Sequence, residues 1–205
     1  METFDADWLA LREPVDHRSR AMELIDPLVA AWKRGEWTRV VDLGSGTGSN
    51  VRYLATRLPS PQRWTLVDHD PAHLQTVGNL KVNVPSCELA VVPGDIGSEG
   101  LRAVERADLV TASALLDLVS ATWLDRLVAV CVEAGCAALF ALNYNGEVTW
   151  SADNGPGAEV EDPDDRMVWN ALSIHQAGDK GLGPSLGPDA AAAALRAFER
   201  VGYQC

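Results

Sequence analysis

One stretch limits what this chain can fold into more than any other: Val40-Val41-Asp42-Leu43-Gly44-Ser45-Gly46-Thr47-Gly48-Ser49-Asn50. Val40, Val41 and Leu43 read as a short buried strand interrupted near its end by Asp42. Gly44, Gly46 and Gly48 then allow a tight turn, because glycine reaches positive φ and leaves bare backbone for a ligand to approach. From Val51 the period changes to that of a helix, with Val51, Leu54, Ala55 and Leu58 at i, i+3, i+4 and i+7. Strand, glycine turn and helix in that order make a nucleotide-binding crevice at the carboxyl end of a parallel strand.

The rest of the chain repeats the alternation. Trp64–Asp68 is a second strand ending in an acid about twenty residues beyond Gly48, where a carboxylate can accept from both ribose hydroxyls of a nucleoside. The competing role for Asp68 is to cap the helix that starts at Pro71. A third strand is expected within Cys87–Val92, followed by Pro93-Gly94-Asp95-Ile96. A fourth runs through Ala107–Ser113, and Ala114–Leu118 leads to a helix carrying Leu124, Leu127, Val128 and Cys131, with Gly135 placed to end it. Ala137–Leu142 makes a fifth strand. Five alternations of strand and helix predict an α/β fold, a doubly wound and mostly parallel sheet with right-handed crossovers.

The pattern Asp42-x-Gly44-x-Gly46-x-Gly48 resembles the first motif of the class I, Rossmann-like S-adenosylmethionine-dependent methyltransferases. A dinucleotide fingerprint would need glycine where Ser49 stands, which disfavours a nicotinamide oxidoreductase. The resemblance spans about residues 38 to 143. It implies S-adenosyl-L-methionine as cofactor, an adenine amino group donating to Asp95, and Ile96 covering the ring. With their neighbours, the cofactor-binding residues it implies are Asp42, Gly44, Ser45, Gly46, Gly48, Asp68, His69, Asp95, Ile96 and Ser113. The basic cluster Asp16–Arg20 reads either as a solvated helix face or as a lid in which Arg18 or Arg20 meets the carboxylate of the cofactor's methionine part. His69 and His73 lie four apart without a third ligand nearby or a Glu between them, so no metal site is expected and both read as solvated.

Four regions are expected: an N-terminal helical lid over 1–36, a cofactor-binding core over 37–146, an insertion over the acceptor site at 147–187, and a last helix in 188–205. In the lid, Asp26-Pro27 reads as an N-cap and first helical position, with Gly35 ending that helix. The insertion begins with an acidic stretch at 159–165, passes a helical pattern holding Val168, Leu172 and His175, and ends in an irregular loop at 178–188. The last helix carries Leu195, Phe198 and Val201. The methyltransferase pattern would continue with a sixth strand and an antiparallel seventh. Without them the edge of Ala137–Leu142 is open, so the expectation is either a missing C-terminal segment or self-association as a homo-oligomer.

Transfer of a methyl from a sulfonium needs mostly proximity and orientation, so the acceptor side is less legible than the cofactor side. Asp117, Asn143, Tyr144 and His175 are the candidates facing the acceptor. Strand four ends in Ser113-Ala114-Leu115-Leu116, unlike the Asn-Pro-Pro-Tyr of many amino methyltransferases, which favours a small-molecule acceptor over a nucleic-acid base. A formal charge of −12 also argues against a partner held by its phosphates. No membrane partner is expected, since no apolar run is long enough to span a bilayer. The start lacks a signal-peptide pattern, and the four cysteines form no C-x-x-C pair, which points to reduced thiols and a cytoplasmic location. The alternative to an enzyme is a non-catalytic S-adenosylmethionine-binding regulatory or partner subunit, which the same cofactor residues would serve.

Overall fold

The computed structural model of the chain describes residues 4–78, 80, 84–143, 145 and 163–205. Five strands form one parallel sheet in the order β3–β2–β1–β4–β5: β1 Arg39–Leu43, β2 Gln62–Asp68, β3 Cys87–Pro93, β4 Leu109–Ser113 and β5 Ala137–Ala141. The helices are α1 Ala6–Arg18, α2 Ile25–Gly35, α3 Ser49–Leu54, α4 Pro71–Gly78, α5 Leu101–Val104, α6 Ala121–Ala134, α7 Pro163–Ala177 and α8 Ala190–Arg200. This is the doubly wound architecture that the alternation predicts.

Side chains of a strand alternate between the two faces of a sheet, and here that alternation divides the interior into two cores. On one face Val40, Trp64, Leu66 and Leu109 pack against Trp32 of α2, Val51, Tyr53 and Leu54 of α3, and Val77 of α4. On the other, Val41, Leu43, Val67, Val110 and Ala112 meet α5, α6 and α8. In β1, Leu43 stands beside Val67 of β2 and Ala112 of β4. The chain leaves β1 toward β2 and β3, then returns to the other side at β4. The crevice of such a sheet opens at that reversal, above the carboxyl ends of β1 and β4.

Helix α6 shows how closely local sequence dictates an element. Ser120 Oγ accepts from Trp123 N at 3.2 Å, and Gly135 at φ 65° takes the left-handed position past the end. Leu124, Leu127, Val128 and Cys131 are buried, as their spacing predicts.

Several expectations need correction. Asp26 does not cap α2: the turn Met22–Leu24 runs straight into the helix, so the chain is already helical before Asp26, which sits in the first turn. Gly35 is the last helical residue, but the left-handed position belongs to Glu36, at φ 52°. In α8 the buried stripe is Ala190, Ala194, Ala197 and Phe198, while Leu195 and Val201 are exposed. The small alanines let this helix close on its neighbours, and Phe198 meets the rings of Phe140 and Tyr203. The loop after α7 is tied down: Asp179 Oδ1 accepts from Gly181 N and Gly183 N, and Leu186 N donates to Val119 O. Val168 of α7 is exposed and Leu172 only half-buried.

Most of the acidic stretch at 159–165 lies outside the described residues, as does Tyr144, and so does the side chain of His175. Cys87, Cys131, Cys136 and Cys205 are free thiols, with Cys131 and Cys136 buried. Among the described residues no helix is long and apolar enough to cross a membrane.

Candidate functional site

The three motif glycines all take left-handed backbone, with φ of 63°, 51° and 85° at Gly44, Gly46 and Gly48. The demand is steric as well as conformational. A Cβ at Gly44 would lie 3.2 Å from Leu115 Cδ1, and one at Gly48 would stand 3.2 Å from Leu80 Cδ2 and 3.3 Å from Val77 Cγ2. Ser45 N donates to Val67 O at 3.0 Å and Gly48 N to Ser45 O at 2.9 Å, which pins the turn against the end of β2.

Asp68 closes that turn from the side. Its Oδ2 accepts from Gly46 N at 2.7 Å and its Oδ1 from Asp70 N at 2.9 Å, so the carboxylate is fixed at the carboxyl edge. Each oxygen retains a further lone pair for a ligand hydroxyl. The cap on α4 is Asp70, whose Oδ1 accepts from Ala72 N at 2.8 Å, and this bond holds its carboxyl below the usual range. That leaves Asp68 free of the capping role. His69 is exposed beside Asp68, with Nδ1 3.5 Å from Asp68 Oδ1. His73 is not solvated as expected; it is buried, with Nε2 2.9 Å from Phe4 O, because the N-terminal segment folds over α4. Among the described residues no three His, Cys, Asp or Glu side chains cluster as metal ligands.

Beneath the turn runs a buried polar network that joins positions distant in sequence. Asn50 Nδ2 donates to Asp42 Oδ1 at 2.7 Å and to Thr111 Oγ1 at 3.1 Å, and Asn50 Oδ1 accepts from Arg20 Nη1 at 3.0 Å. Arg20 Nη2 reaches Ser113 Oγ at 3.0 Å, and the guanidinium lies 4.9 Å from the Tyr53 ring. Burial pushes the Asp42 carboxyl up to about 7, against the Asn50 hydrogen bond and the Arg20 charge, which pull it down. Burial likewise lowers Arg20 from its ordinary value, opposed by the Asp42 charge. Arg20 Nε, Asp42 Oδ2 and Ser45 Oγ are buried polar atoms without a hydrogen-bond partner among the described residues. Arg18 is exposed in the last turn of α1; neither it nor Arg20 lines the two cavities described below, but Arg20 is buried and bonded to Ser113, which does.

Helix α1 roofs the carboxyl edge. Its N-cap is Asp5, whose Oδ1 accepts from Asp7 N and Trp8 N. Phe4, Trp8, Arg12 and Asp16 follow at intervals of four along one face. The Phe4 and Trp8 rings stack at 5.7 Å, Arg12 lies 4.7 Å from the Trp8 ring, and Arg12 Nε bonds Asp16 Oδ2 at 2.7 Å. Polar contacts moor the helix: His17 Nε2 lies 3.1 Å from Ser49 Oγ, and Glu13 forms an ion pair with Arg52, whose Nη1 also donates to Thr47 O at 2.7 Å. The Arg52 hydrogen bond holds the Glu13 carboxyl below its usual range despite its burial.

Two cavities lie under this roof. The narrower, about 100 Å³, is bounded by Gly44, Gly46, Asp68, His69, Ile96 and Ser113. The wider, about 460 Å³, is bounded by Asp16, Ser19, Asp117, Asn143, Gln176 and Lys180. Phe4, Trp8, Arg12, Ala114 and Leu118 line both, so the two run together as one trough. The structure thus brings together Gly44, Gly46, Asp68, His69, Ile96 and Ser113 in one cavity, and Asp117 and Asn143 in the other. Ser45 and Gly48 lie in the turn behind. Asp95 is exposed and outside the lining; its Oδ1 accepts from Gly97 N at 2.6 Å, starting the helical turn Ile96–Gly100 that holds Ile96 inward. Sequence reasoning missed Phe4, Trp8, Leu9 and Arg12, although the four-residue spacing of 4, 8, 12 and 16 was there to be read as one helix face.

No family model and no curated protein sequence matches the chain. Its fold does match solved structures. One is a candidate O-methyltransferase from Nostoc punctiforme PCC 73102, with a TM-score of 0.52 at 14% identity over 89% of this chain and 50% of that one. Another is human N-acetylserotonin methyltransferase in complex with SAM, with a TM-score of 0.50 at 14% identity over 88% of this chain and 46% of that one. The N-terminal domain of EvdMO1 with SAH bound aligns at a TM-score of 0.49 and 16% identity, over 87% of this chain and 71% of that domain. The chain spans about half the length of the first two. At these identities the likeness is one of fold: the chain has the class I, Rossmann-like methyltransferase fold.

Proposed function

We propose that this chain binds S-adenosylmethionine in the trough over the glycine turn, with its ribose at Asp68 in the narrower part, and transfers its methyl group to a small molecule held in the wider part. The observation that carries this reading is the confluence of the two cavities, the narrower of which is lined by the glycine turn and by Asp68. The residues present suit the cofactor: Asp68 has lone pairs for ribose hydroxyls, Ile96 offers an apolar side chain for the base, and Asp95 stands one residue before it. At the methionine end the candidate is Ser113, which lines the narrower cavity and accepts from Arg20, so Arg20 rather than Arg18 is the arginine joined to the site.

When bound, the cofactor supplies an activated methyl on a sulfonium. The work left to the chain is to orient the acceptor, exclude water and hold the two reactants in line. The apolar residues at the junction, Phe4, Trp8, Ala114 and Leu118, suit that work. Asp117 and Asn143 border the acceptor cavity as orienting groups.

The same residues would serve a subunit that binds the cofactor without chemistry, and the absence of any imidazole or carboxylate among the five shared lining residues fits that second reading too. Calorimetric titration with S-adenosylhomocysteine and with NAD tests the shared premise. Binding of the former and much weaker binding of NAD is expected; equal or tighter NAD binding would defeat it. Methyl transfer from labelled cofactor to any member of a small-molecule panel then separates the enzyme from the binding subunit.

A further inference from the structure

The chemistry of the acceptor can be read at the junction of the two cavities. Among the five residues shared by both, four are uncharged and the fifth is Arg12. Its Nε and Nη2 go to the Asp16 carboxylate, at 2.7 and 3.2 Å, and its centre lies 4.7 Å from the Trp8 ring. The guanidinium is therefore held by two hydrogen bonds and a ring contact, while Nη1 makes no hydrogen bond among the described residues. Asp16 lines only the wider cavity and Arg12 lines both, so the ion pair borders the junction, with both Asp16 oxygens taken up by Nε and Nη2 and with Nη1 left for a ligand oxygen.

A sulfonium in the narrower cavity would add a second positive charge at that junction. An amine acceptor, itself cationic near neutral pH, would face the sulfonium and a guanidinium that already holds the Asp16 carboxylate, and would have to lose a proton with no carboxylate or imidazole among the shared residues. An oxygen acid arrives as an anion or ionises readily beside a guanidinium, which is a strong donor to such oxygens. The neighbouring wall has two stacked rings, Phe4 and Trp8, each roughly half exposed, continued by Leu118 and Leu142. Flat apolar surface of this kind suits an aromatic body. Asp117, Lys180, Asn143 and Gln176 also line the wider cavity, where further polar substituents of the ring would meet them.

We propose that the wider cavity takes an aromatic acceptor bearing an acidic oxygen, a phenol or an aryl carboxylate, and that Arg12 binds that oxygen through Nη1 at the junction. The proposal rests on the methyl-transfer reading above. In the reaction, a lone pair of the aryl oxygen anion forms the O–CH3 bond as the C–S bond breaks, with its electron pair left on sulfur. The products are an aryl methyl ether or ester and a neutral thioether; a phenol gives its proton to solvent beforehand. One negative and one positive charge are consumed together.

The full chain saturated with S-adenosylhomocysteine is titrated with para-nitrophenol, benzoate and benzylamine, alongside Arg12→Met and Arg12→Lys. Para-nitrophenol or benzoate should bind, with benzylamine much weaker. Arg12→Met should weaken the acid by about ten- to hundredfold, the loss of one charge-assisted hydrogen bond, with Arg12→Lys in between. Bound para-nitrophenol should show its phenolate band at lower pH on the wild type than free in solution, a displacement lost in Arg12→Met. Benzylamine binding as tightly as benzoate, or no effect of Arg12→Met on the acid, overturns the proposal. It is also overturned if Arg12→Met weakens S-adenosylhomocysteine but not methylthioadenosine, which lacks the carboxylate, because Arg12 would then belong to the cofactor. Failure of the wild type to bind S-adenosylhomocysteine at all would strike the methyl-transfer reading itself, a result separate from these.

Discussion

Asp42 offers a pH test of the buried network that needs no substrate. The carboxyl is fully enclosed between β1 and α3, its Oδ1 held by Asn50 and its Oδ2 without a partner among the described residues. An unfolded chain ionises this group near 3.8, whereas burial moves it to about 7 in the fold. Because the folded value is the higher, the folded state holds the proton longer, and stability falls as pH rises through that window. At about 1.36 kcal/mol per pH unit, the loss on passing from pH 4 to above pH 7 is about 4 kcal/mol. Asp42→Asn keeps the shape and the acceptor for Asn50 but cannot ionise. It also removes the anion that faces Arg20, so its gain over wild type should be about 2–4 kcal/mol near pH 8 and close to nothing near pH 4. Urea unfolding followed by circular dichroism at about pH 4, 6 and 8 measures this, and the other titrations cancel in the difference between the two proteins. Parallel curves at every pH would mean that Asp42 ionises alike in both states, and the reasoning would be wrong.

Asp68→Ala should lower affinity for S-adenosylhomocysteine by about ten- to hundredfold in calorimetry, since it removes charge-assisted bonds to the ligand and the clamp on Gly46. Leu127→Ala empties a fully buried site between α6 and the sheet and should cost about 2–5 kcal/mol in denaturant unfolding. Asp108 accepts from Thr38 N, Arg39 N and the Arg39 guanidinium, which hold its carboxyl below the usual range against the opposing effect of burial. Its contribution is therefore present above the unfolded value and lost as pH falls through the folded one. Asp108→Ala should cost about 1–3 kcal/mol near neutral pH and flatten the acid side of the stability profile.

What could be read from sequence alone followed the range of the interactions concerned. The turn at Gly44–Gly48 and the α6 stripe are local, set by glycine conformation and by period, and both stand where expected. Asp68 was legible because its distance from the turn is a property of one strand–helix–strand unit. The Asp42–Asn50–Arg20 network was not, since Arg20 reaches Asn50 and Ser113 from a segment whose path no local pattern dictates. Arg18 and Arg20 are two residues apart and chemically alike; only the way the chain turns after α1 buries one and exposes the other. Leu195 and Val201 show the converse error. Hydrophobicity suggested their burial, yet packing selected the smaller alanines because they let α8 approach more closely.

Helix α1 carries one further consequence. It buries none of its own side chains, and it is moored by Glu13, His17 and the carbonyl of Phe4 rather than by an apolar face. The side chains of this segment that line the trough, at 4, 8, 9, 12 and 16, are therefore different from those of Glu13 and His17, and belong to neither hydrophobic core. Replacing those side chains should change the lining of the trough with little effect on the packing of the sheet. On the proposed function, the residues that would shape the acceptor's place and those that hold the sheet together are thus largely separate sets.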